Sequence, residues 1–400
     1  MKKNILVMTK HYPAKDHDFN ETKVVYYFAQ EWMKKGYNVK VIHNYILFPR
    51  IAYIFFRFFY SYLKSKLGFN IPLIYDKKIV KYQIDEVEIC RIPIKKIIPH
   101  GLISRKNVEK QFDLICDVLK EDDFIPDIVV GHWWNPQLEL IAMMKDKFNC
   151  RTCLVVHDIP LKKSPESYLE NFKKIDMWGM RSKNIQERFH SIFGNNYKSF
   201  LCLSGVPMKF ISGNDRRSFN SNSISISFVG NLIARKHPLA ILKAVKNIPE
   251  DNISCVNFIG EGAEQAKLYD FAKQNHMLSK VRFLGKVPRE RVSEELAKTD
   301  VFIMISESEA FGLVYLEAMG AGDLTIASKN EGMDGVIVDG ENGFLCKAGD
   351  DDELSLILKR IIKMDPEKRR KISDNALRTA MDNTDEKAAI NYLKYVEECR

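Results

Sequence analysis

Residues Ser306–Gly322 read SESEAFGLVYLEAMGAG. The apolar run Val301–Ile305 before them has the length and composition of a buried strand. Leu313–Met319 after Gly312 has the spacing of a buried helix. A strand, a short polar loop and a helix start therefore follow one another. A helix N-terminus presents unpaired N–H groups and a partial positive charge, which suit a phosphate or a sugar hydroxyl. Gly312 lets backbone approach a ligand closely. Glu309 lies in the loop, and Glu317, eight residues on, falls inside the helix among apolar neighbours, where a carboxylate needs a partner. A ribose diol is one such partner and a lysine of the protein is another; spacing alone leaves both open.

Working outward, the C-terminal half predicts strands at Ile224–Val229, Ser254–Ile259, Val281–Leu284, Val301–Ile305 and Leu324–Ala327, with helices at Pro238–Asn247, Glu264–Asn275, Arg289–Ala297 and Leu313–Met319 between them. The N-terminal half repeats the pattern, with strands at Asn4–Met8, Asn38–His43, Asp127–Gly131, Thr152–His157 and Phe200–Leu203 and a helix over Val24–Lys35 ended by Gly36. Such alternation implies parallel sheets covered on both faces. The fold class expected is α/β, two doubly wound Rossmann-like domains facing across a cleft. Ligands bind beyond the carboxyl ends of strands in such sheets. Ile211–Asn222 is polar and reads as a linker or surface loop.

The chain of 400 residues is 46% hydrophobic and 28% charged, a folded composition with room for two cores. Residues 1–200 hold 33 Lys+Arg against 22 Asp+Glu, and residues 201–400 hold 28 against 30, so the net charge of +9 is carried by the N-terminal half. An anionic partner, such as a membrane surface or phosphate groups, fits that asymmetry, as does plain solubility. Nucleic acid would explain the charge but none of the motifs and is set aside. Tyr45–Leu63 (YILFPRIAYIFFRFFYSYL) is aromatic, carries Arg50 and Arg57, and is too short in its apolar runs to span a bilayer; it suits an element lying in a membrane interface, or an insertion packed on protein. The eight cysteines form no framework, and Cys150 and Cys153 read as buried thiols in a reducing cytoplasm. The opening run MKKNILVMTKHYP reads as a first strand, not a signal peptide.

SESEAFGLVYLEAMGAG resembles the Glu-x7-Glu signature of family-four retaining glycosyltransferases of the GT-B fold, the group 1 glycosyltransferases. FVGNLIARKHP (Phe228–Pro238), NFIGEGAEQAKL (Asn257–Leu268), VRFLGKVPRERV (Val281–Val292), NGFLCKAGDDDEL (Asn342–Leu354) and DPEKRR (Asp365–Arg370) resemble further family segments, so the likeness is continuous over about 224–381. The resemblance implies that Arg235 and Lys236 hold the donor diphosphate and Glu309 the donor sugar. Phe311, Gly312 and Leu313 would offer N–H groups, Glu317 would bind ribose, and Gly230, Gly260 and Gly262 would lie along the nucleotide. Two fixed cations suit a departing diphosphate. IVVGHWWNP (Ile128–Pro136) and LVVHD (Leu154–Asp158) resemble two N-terminal strands of the family, which implies that His132 reaches the donor sugar and that His157 lies nearby.

The chain departs from the family where a Gly-Gly pair is usual: Phe19–Asn20 stands there, so Asn20, Glu21, Thr22 or Lys23 is expected to supply side-chain contacts to an acceptor or phosphate. The expected division is 1–205 for acceptor binding with an insertion at 45–80, 206–385 for the nucleotide sugar, and 386–400 crossing back as a helix. A UDP- or GDP-linked donor is implied. No cofactor or metal is required, and Asp350–Asp352 reads as a helix start. The expectation is a retaining transfer to a glycan or lipid-linked acceptor, by a cytoplasmic protein peripheral at the inner face of the membrane, in cell-surface polysaccharide synthesis. The competing readings are a nucleotide-sugar epimerase on the same fold and a non-catalytic nucleotide-sugar-binding scaffold subunit.

Overall fold

The computed structural model describes residues 2–14, 23–60, 75–97, 102–159, 165–212, 219–221 and 223–398. The first sheet contains β1 (Asn4–Thr9), β2 (Asn38–Leu47), β3 (Val80–Ile84), β4 (Val87–Lys95), β5 (Ile128–His132), β6 (Arg151–Val156), β7 (Met177–Met180) and β8 (Ser199–Leu201). Their order is β3-β4-β2-β1-β5-β6-β7-β8, parallel except for the β3–β4 hairpin. The second sheet contains β9 (Ile224–Val229), β10 (Ile253–Ile259), β11 (Val281–Gly285), β12 (Val301–Met304), β13 (Leu324–Ser328) and β14 (Phe344–Cys346). It is wholly parallel in the order β11-β10-β9-β12-β13-β14, the doubly wound dinucleotide-fold arrangement. The expected fold class is met. Each sheet changes direction once, between β1 and β5 and between β9 and β12, and a crevice opens at each switch.

Apolar strands packed on both faces make the cores. In the C-terminal domain Phe228, Phe258 and Phe302 come from strands and Leu242, Leu316 and Leu358 from helices. In the N-terminal domain Leu6 and Met8 face one layer, Ile5 and Val7 the other. Cys150 and Cys153 are buried thiols, and burial pushes the Cys150 thiol up to about 11. Asp350 caps helix Asp351–Ile362, its Oδ1 accepting from Glu353 N at 3.0 Å.

Two expectations about the N-terminal half change. The stretch expected at Tyr45–Leu63 is divided: Tyr45 and Leu47 complete β2, which pairs with β4 as far as Lys95, Pro49 then starts a helix, Arg50–Phe58, and residues 61–63 lie outside the described residues. The β3–β4 hairpin turns at Asp85, whose φ is +50°. Its turn lacks the Gly that marks most tight hairpins in sequence, so it is not legible there. Among the described residues no helix is long and apolar enough to cross a membrane.

The chain passes between sheets at Gly205–Val206 and returns at Asn383–Asp385, the two strands of the crossover bonded by Val206 N to Asn383 O (3.0 Å) and Asp385 N to Val206 O (3.2 Å). Helix Asp385–Glu398 then packs on helix Val24–Lys34, where Trp32 Nε1 donates to Ala389 O at 3.0 Å. Burial, against the opposing pull of Arg289, raises the Asp385 carboxyl to about 7. The folded state then holds a proton that the unfolded state has lost, so this group costs stability progressively as pH rises from about 4 to about 7. Asp385→Asn should flatten that slope and add about 2–4 kcal/mol at pH 8. Urea unfolding at pH 5 and pH 8 checks this; an unchanged slope would refute it.

Candidate functional site

β9 and β12 are neighbours, with Ile226 paired to Val301 and Ser227 to Phe302. Their ends bring together segments more than seventy residues apart. Arg235 O accepts from Glu307 N at 2.7 Å, and Arg235 Nη1 donates to Glu307 O at 3.2 Å. The Glu331 carboxylate accepts from Ser308 N (3.0 Å) and Glu309 N (2.9 Å), fixing the loop from the other side. No sequence motif announced Glu331; it arrives from the loop after β13.

In this frame Glu309 Oε2 lies 3.5 Å from Lys236 Nζ and 3.7 Å from Arg235 Nη1. Oε2 is buried yet receives no hydrogen bond. Lys236 is also sunk in the fold, and that burial lowers its ammonium pKa while Glu309 raises it and Arg235 lowers it further. Gly230, at φ +149°, brings the β9 end against this lysine: a Cβ there would sit 3.2 Å from Nζ. Gly312 starts helix Leu313–Gly320 at φ +82°, where a Cβ would meet the Tyr315 ring at 2.5 Å. The N–H groups of Phe311, Gly312 and Leu313 have no acceptor among the described residues. Two cations, a carboxylate with an open oxygen and three free amides thus converge at the switch point, a set suited to an anion carrying hydroxyls.

Gly260 and Gly262 make a close backbone approach within the protein itself. A Cβ on Gly260 would lie 2.0 Å from Gly230 O, and one on Gly262 2.2 Å from Leu232 O. The two glycines let the loop after β10 nest on the loop after β9, with Leu232 N bonded to Glu261 O at 2.9 Å. They therefore shape the crevice floor through backbone contact. Gly260→Ala, at φ +139° and against backbone, should destabilise the domain by about 2–4 kcal/mol. A denaturation midpoint equal to the unsubstituted protein's would refute the nesting argument.

Glu317 has a protein partner. Its Oε1 accepts from Arg289 Nε at 2.7 Å and also faces Nη2. Arg289 Nη1 donates to the hydroxyl of Tyr27, in the other domain, at 2.6 Å, and its guanidinium lies over the Phe210 ring at 4.5 Å. The second oxygen of Glu317 accepts from no described residue. Sequence spacing offered a lysine or a ribose for this carboxylate. The structure supplies an arginine that also ties the domains together.

On the N-terminal side His132 ends β5 but is fully buried, its Nδ1 3.3 Å from His157 Nε2 and its ring near Phe28 and Tyr392. The structure does not bring it to the cleft surface. Trp133, at φ +67°, follows it half-buried, stacked on His157 (4.1 Å between ring centroids) and edge-on to His11. Burial lowers the imidazoles of His132 and His11 to about 3 and that of His157 well below its usual range, so all three are neutral at pH 7. The nearby positive charge of Arg181 adds to the lowering at His132 and His157. Arg181 is itself buried, donating to Cys202 O at 2.6 Å and to Ser204 Oγ, and lies over the Phe311 ring across the domain boundary. Among the described residues it has no carboxylate partner. Nothing in its local sequence marked it. Lys23 stands exposed just before helix Val24–Lys34, while Asn20, Glu21 and Thr22 lie outside the described residues.

Residues 214–379 match the family model described as Glycosyl transferases group 1. N-acetyl-alpha-D-glucosaminyl L-malate synthase of Bacillus anthracis is 40% identical over 92 residues, 23% of this chain and 24% of that protein. The lipopolysaccharide core biosynthesis glycosyltransferase LpsE of Rhizobium meliloti is 28% identical over 153 residues, 38% of this chain and 41% of that protein. The matched stretches thus span less than half of either relative. The solved structure of Anabaena Alr3699/HepE in complex with UDP superposes with a TM-score of 0.67 at 16% identity, covering 99% of both chains. The chain therefore has the GT-B fold throughout, and its residues 214–379 match the model of the group 1 glycosyl transferases.

Proposed function

We propose that the protein is a retaining glycosyltransferase of family four. It would move a sugar from a UDP- or GDP-linked donor to an acceptor hydroxyl, here a lipid-linked glycan in cell-surface polysaccharide synthesis. The observation that carries this reading is the pairing of Lys236 and Arg235 with Glu309, whose buried Oε2 still lacks a hydrogen-bond donor. A donor-sugar hydroxyl supplies that bond. The two cations and the N–H groups at Phe311–Leu313 offset the charge that grows on the departing diphosphate. The UDP held by the structurally similar HepE supports the same placement of a nucleotide, and the lipopolysaccharide role of LpsE supports a surface-glycan acceptor.

The glycosidic bond breaks as the acceptor oxygen attacks from the same face. The acceptor's proton passes to the departing phosphate oxygen, so the anomeric configuration is kept. The neutral imidazoles of His132 and His157 leave the cationic work to Lys236, Arg235 and Arg181. Holding donor and acceptor in register supplies much of the rate. The residues present require no metal for this chemistry, because cationic side chains stand where the diphosphate charge develops.

A panel of UDP- and GDP-sugars, with and without membrane lipid extract, tests the reading by nucleoside diphosphate release. Release that depends on extract is expected. Free nucleotide with an altered sugar and no acceptor requirement would instead show an epimerase. Donor binding without any turnover would show a scaffold subunit.

A further inference from the structure

We infer that the outer face of helix Arg50–Phe58 and its flanks form a docking surface for an anionic lipid bilayer. The inference rests on reading the cleft as the place where a membrane-borne acceptor is glycosylated, and it assigns the surface that brings the cleft there. The helix is anchored by one side only. Tyr53 and Phe56 are buried against Tyr45 and Leu47 at the end of β2. The other side is bare: Ile51, Ile54, Phe55, Phe58 and Phe59 are exposed, Ile51 by 77% and Phe58 by 83%. At 3.6 residues per turn these five fall within an arc of about 140°.

The apolar arc does not end with the helix. Lys96 N bonds to Leu47 O at 2.9 Å, which sets Ile97, 72% exposed, beside the turn into the helix. The surroundings are cationic. Arg50 and Arg57 lie along one border of the arc, and Arg50 and Lys77 both face the Tyr75 ring, which packs edge-on to Tyr53. An exposed apolar stripe bordered by cations is the pattern of a helix lying in the bilayer interface: apolar side chains enter the acyl boundary and the cations meet anionic headgroups. A soluble protein partner would require a large apolar patch but not this border of positive charge.

The position suits the task. His43 of β2 pairs with Thr9 at the end of β1, and β2 runs on from there to Leu47, so the helix stands beyond the carboxyl ends of the parallel strands, the side on which the cleft opens. The helix follows β2, the neighbour of β1, whose other neighbour β5 marks the first sheet's switch point. The exposed stripe then does in place what a spanning helix does in an integral enzyme.

Co-sedimentation of the full chain with vesicles tests this. Binding to phosphatidylcholine vesicles that contain phosphatidylglycerol is expected, with weak binding to phosphatidylcholine alone. Ile54→Glu combined with Phe58→Glu should weaken binding about tenfold or more. Arg50→Glu should weaken it by about fivefold or more at low salt. Donor hydrolysis in solution should be unchanged in all of them, since none of these residues lies in the donor crevice. Equal vesicle binding by the double variant would overturn the assignment. So would a wild-type dimer, seen by light scattering, that the double variant makes monomeric, because the face would then join two copies. Vesicle binding needs no nucleotide sugar, so binding without turnover would sink the transfer reading and sustain this one, whereas turnover without binding would do the reverse.

Discussion

Lys236→Ala is expected to lower nucleoside diphosphate release by about two to three orders of magnitude while the protein stays folded. The reasoning is electrostatic. Lys236 is one of two cations near Glu309 Oε2, and it is the more buried of them, so its charge acts through less water than that of Arg235. A fixed cation where leaving-group charge develops stabilises the transition state more than the bound donor, so kcat should fall more than KM rises. The fold should tolerate the change because Arg235 remains 3.7 Å from Glu309 and Gly230 gains space. Glu309→Gln keeps the shape of the side chain but removes its charge, and should reduce turnover by about a hundredfold. Steady-state kinetics with circular dichroism as the control decides both. Full activity in either variant would remove that residue from the donor site.

Arg289→Ala is expected to destabilise the protein by about 2–3 kcal/mol, the second large effect. It leaves the Glu317 carboxylate buried without its cation, and it severs the tie to Tyr27 across the domain boundary. The full cost of breaking a buried pair is reduced here because a quarter of the arginine side chain is exposed. Adding Glu317→Gln should recover part of the loss, since the orphaned charge disappears. Tyr27→Phe should cost only about 1 kcal/mol, as it removes a single hydrogen bond. A double-mutant cycle from urea unfolding measures the coupling. Strict additivity of Arg289→Ala and Glu317→Gln would show that the ion pair contributes nothing. On the proposed reading, Arg289→Ala also raises donor KM about tenfold, because an unrestrained Glu317 must be ordered again by each ribose it meets.

The same pair marks how far the residues could be read without coordinates. The spacing of Glu309 and Glu317 located a binding loop and a helix, and Gly312 located the junction between them. Arg235 and Lys236 stood out through the likeness of FVGNLIARKHP to a family segment and because two fixed cations suit a diphosphate. Those signals are local. The partner of Glu317 is Arg289, in the helix Arg289–Leu296 before β12, and its second contact is Tyr27, from the other domain. Glu331 reaches the loop from beyond β13, and Arg181 reaches Phe311 from the first sheet. No spacing rule links such residues, because each pairing is made by a crossover or by the approach of two domains. The burial of His132 was not legible either: ending a strand at a cleft does not show how much of the packed core covers a residue.

What the sequence determined by itself was therefore the architecture and the loop chemistry. Alternation between strand and helix periodicity dictates two parallel sheets, since each apolar face must be buried on the layer that follows it. Parallel strands joined by helices put their loops at the carboxyl ends, so residues 230–236 and 306–313 had to meet once β9 and β12 were neighbours. Tertiary structure decided which charges those loops finally face and which glycines touch backbone. It also decided that five apolar side chains of Arg50–Phe59 remain outside. Periodicity marks a helix as amphipathic, but only the packed neighbours show which of its faces the protein has covered.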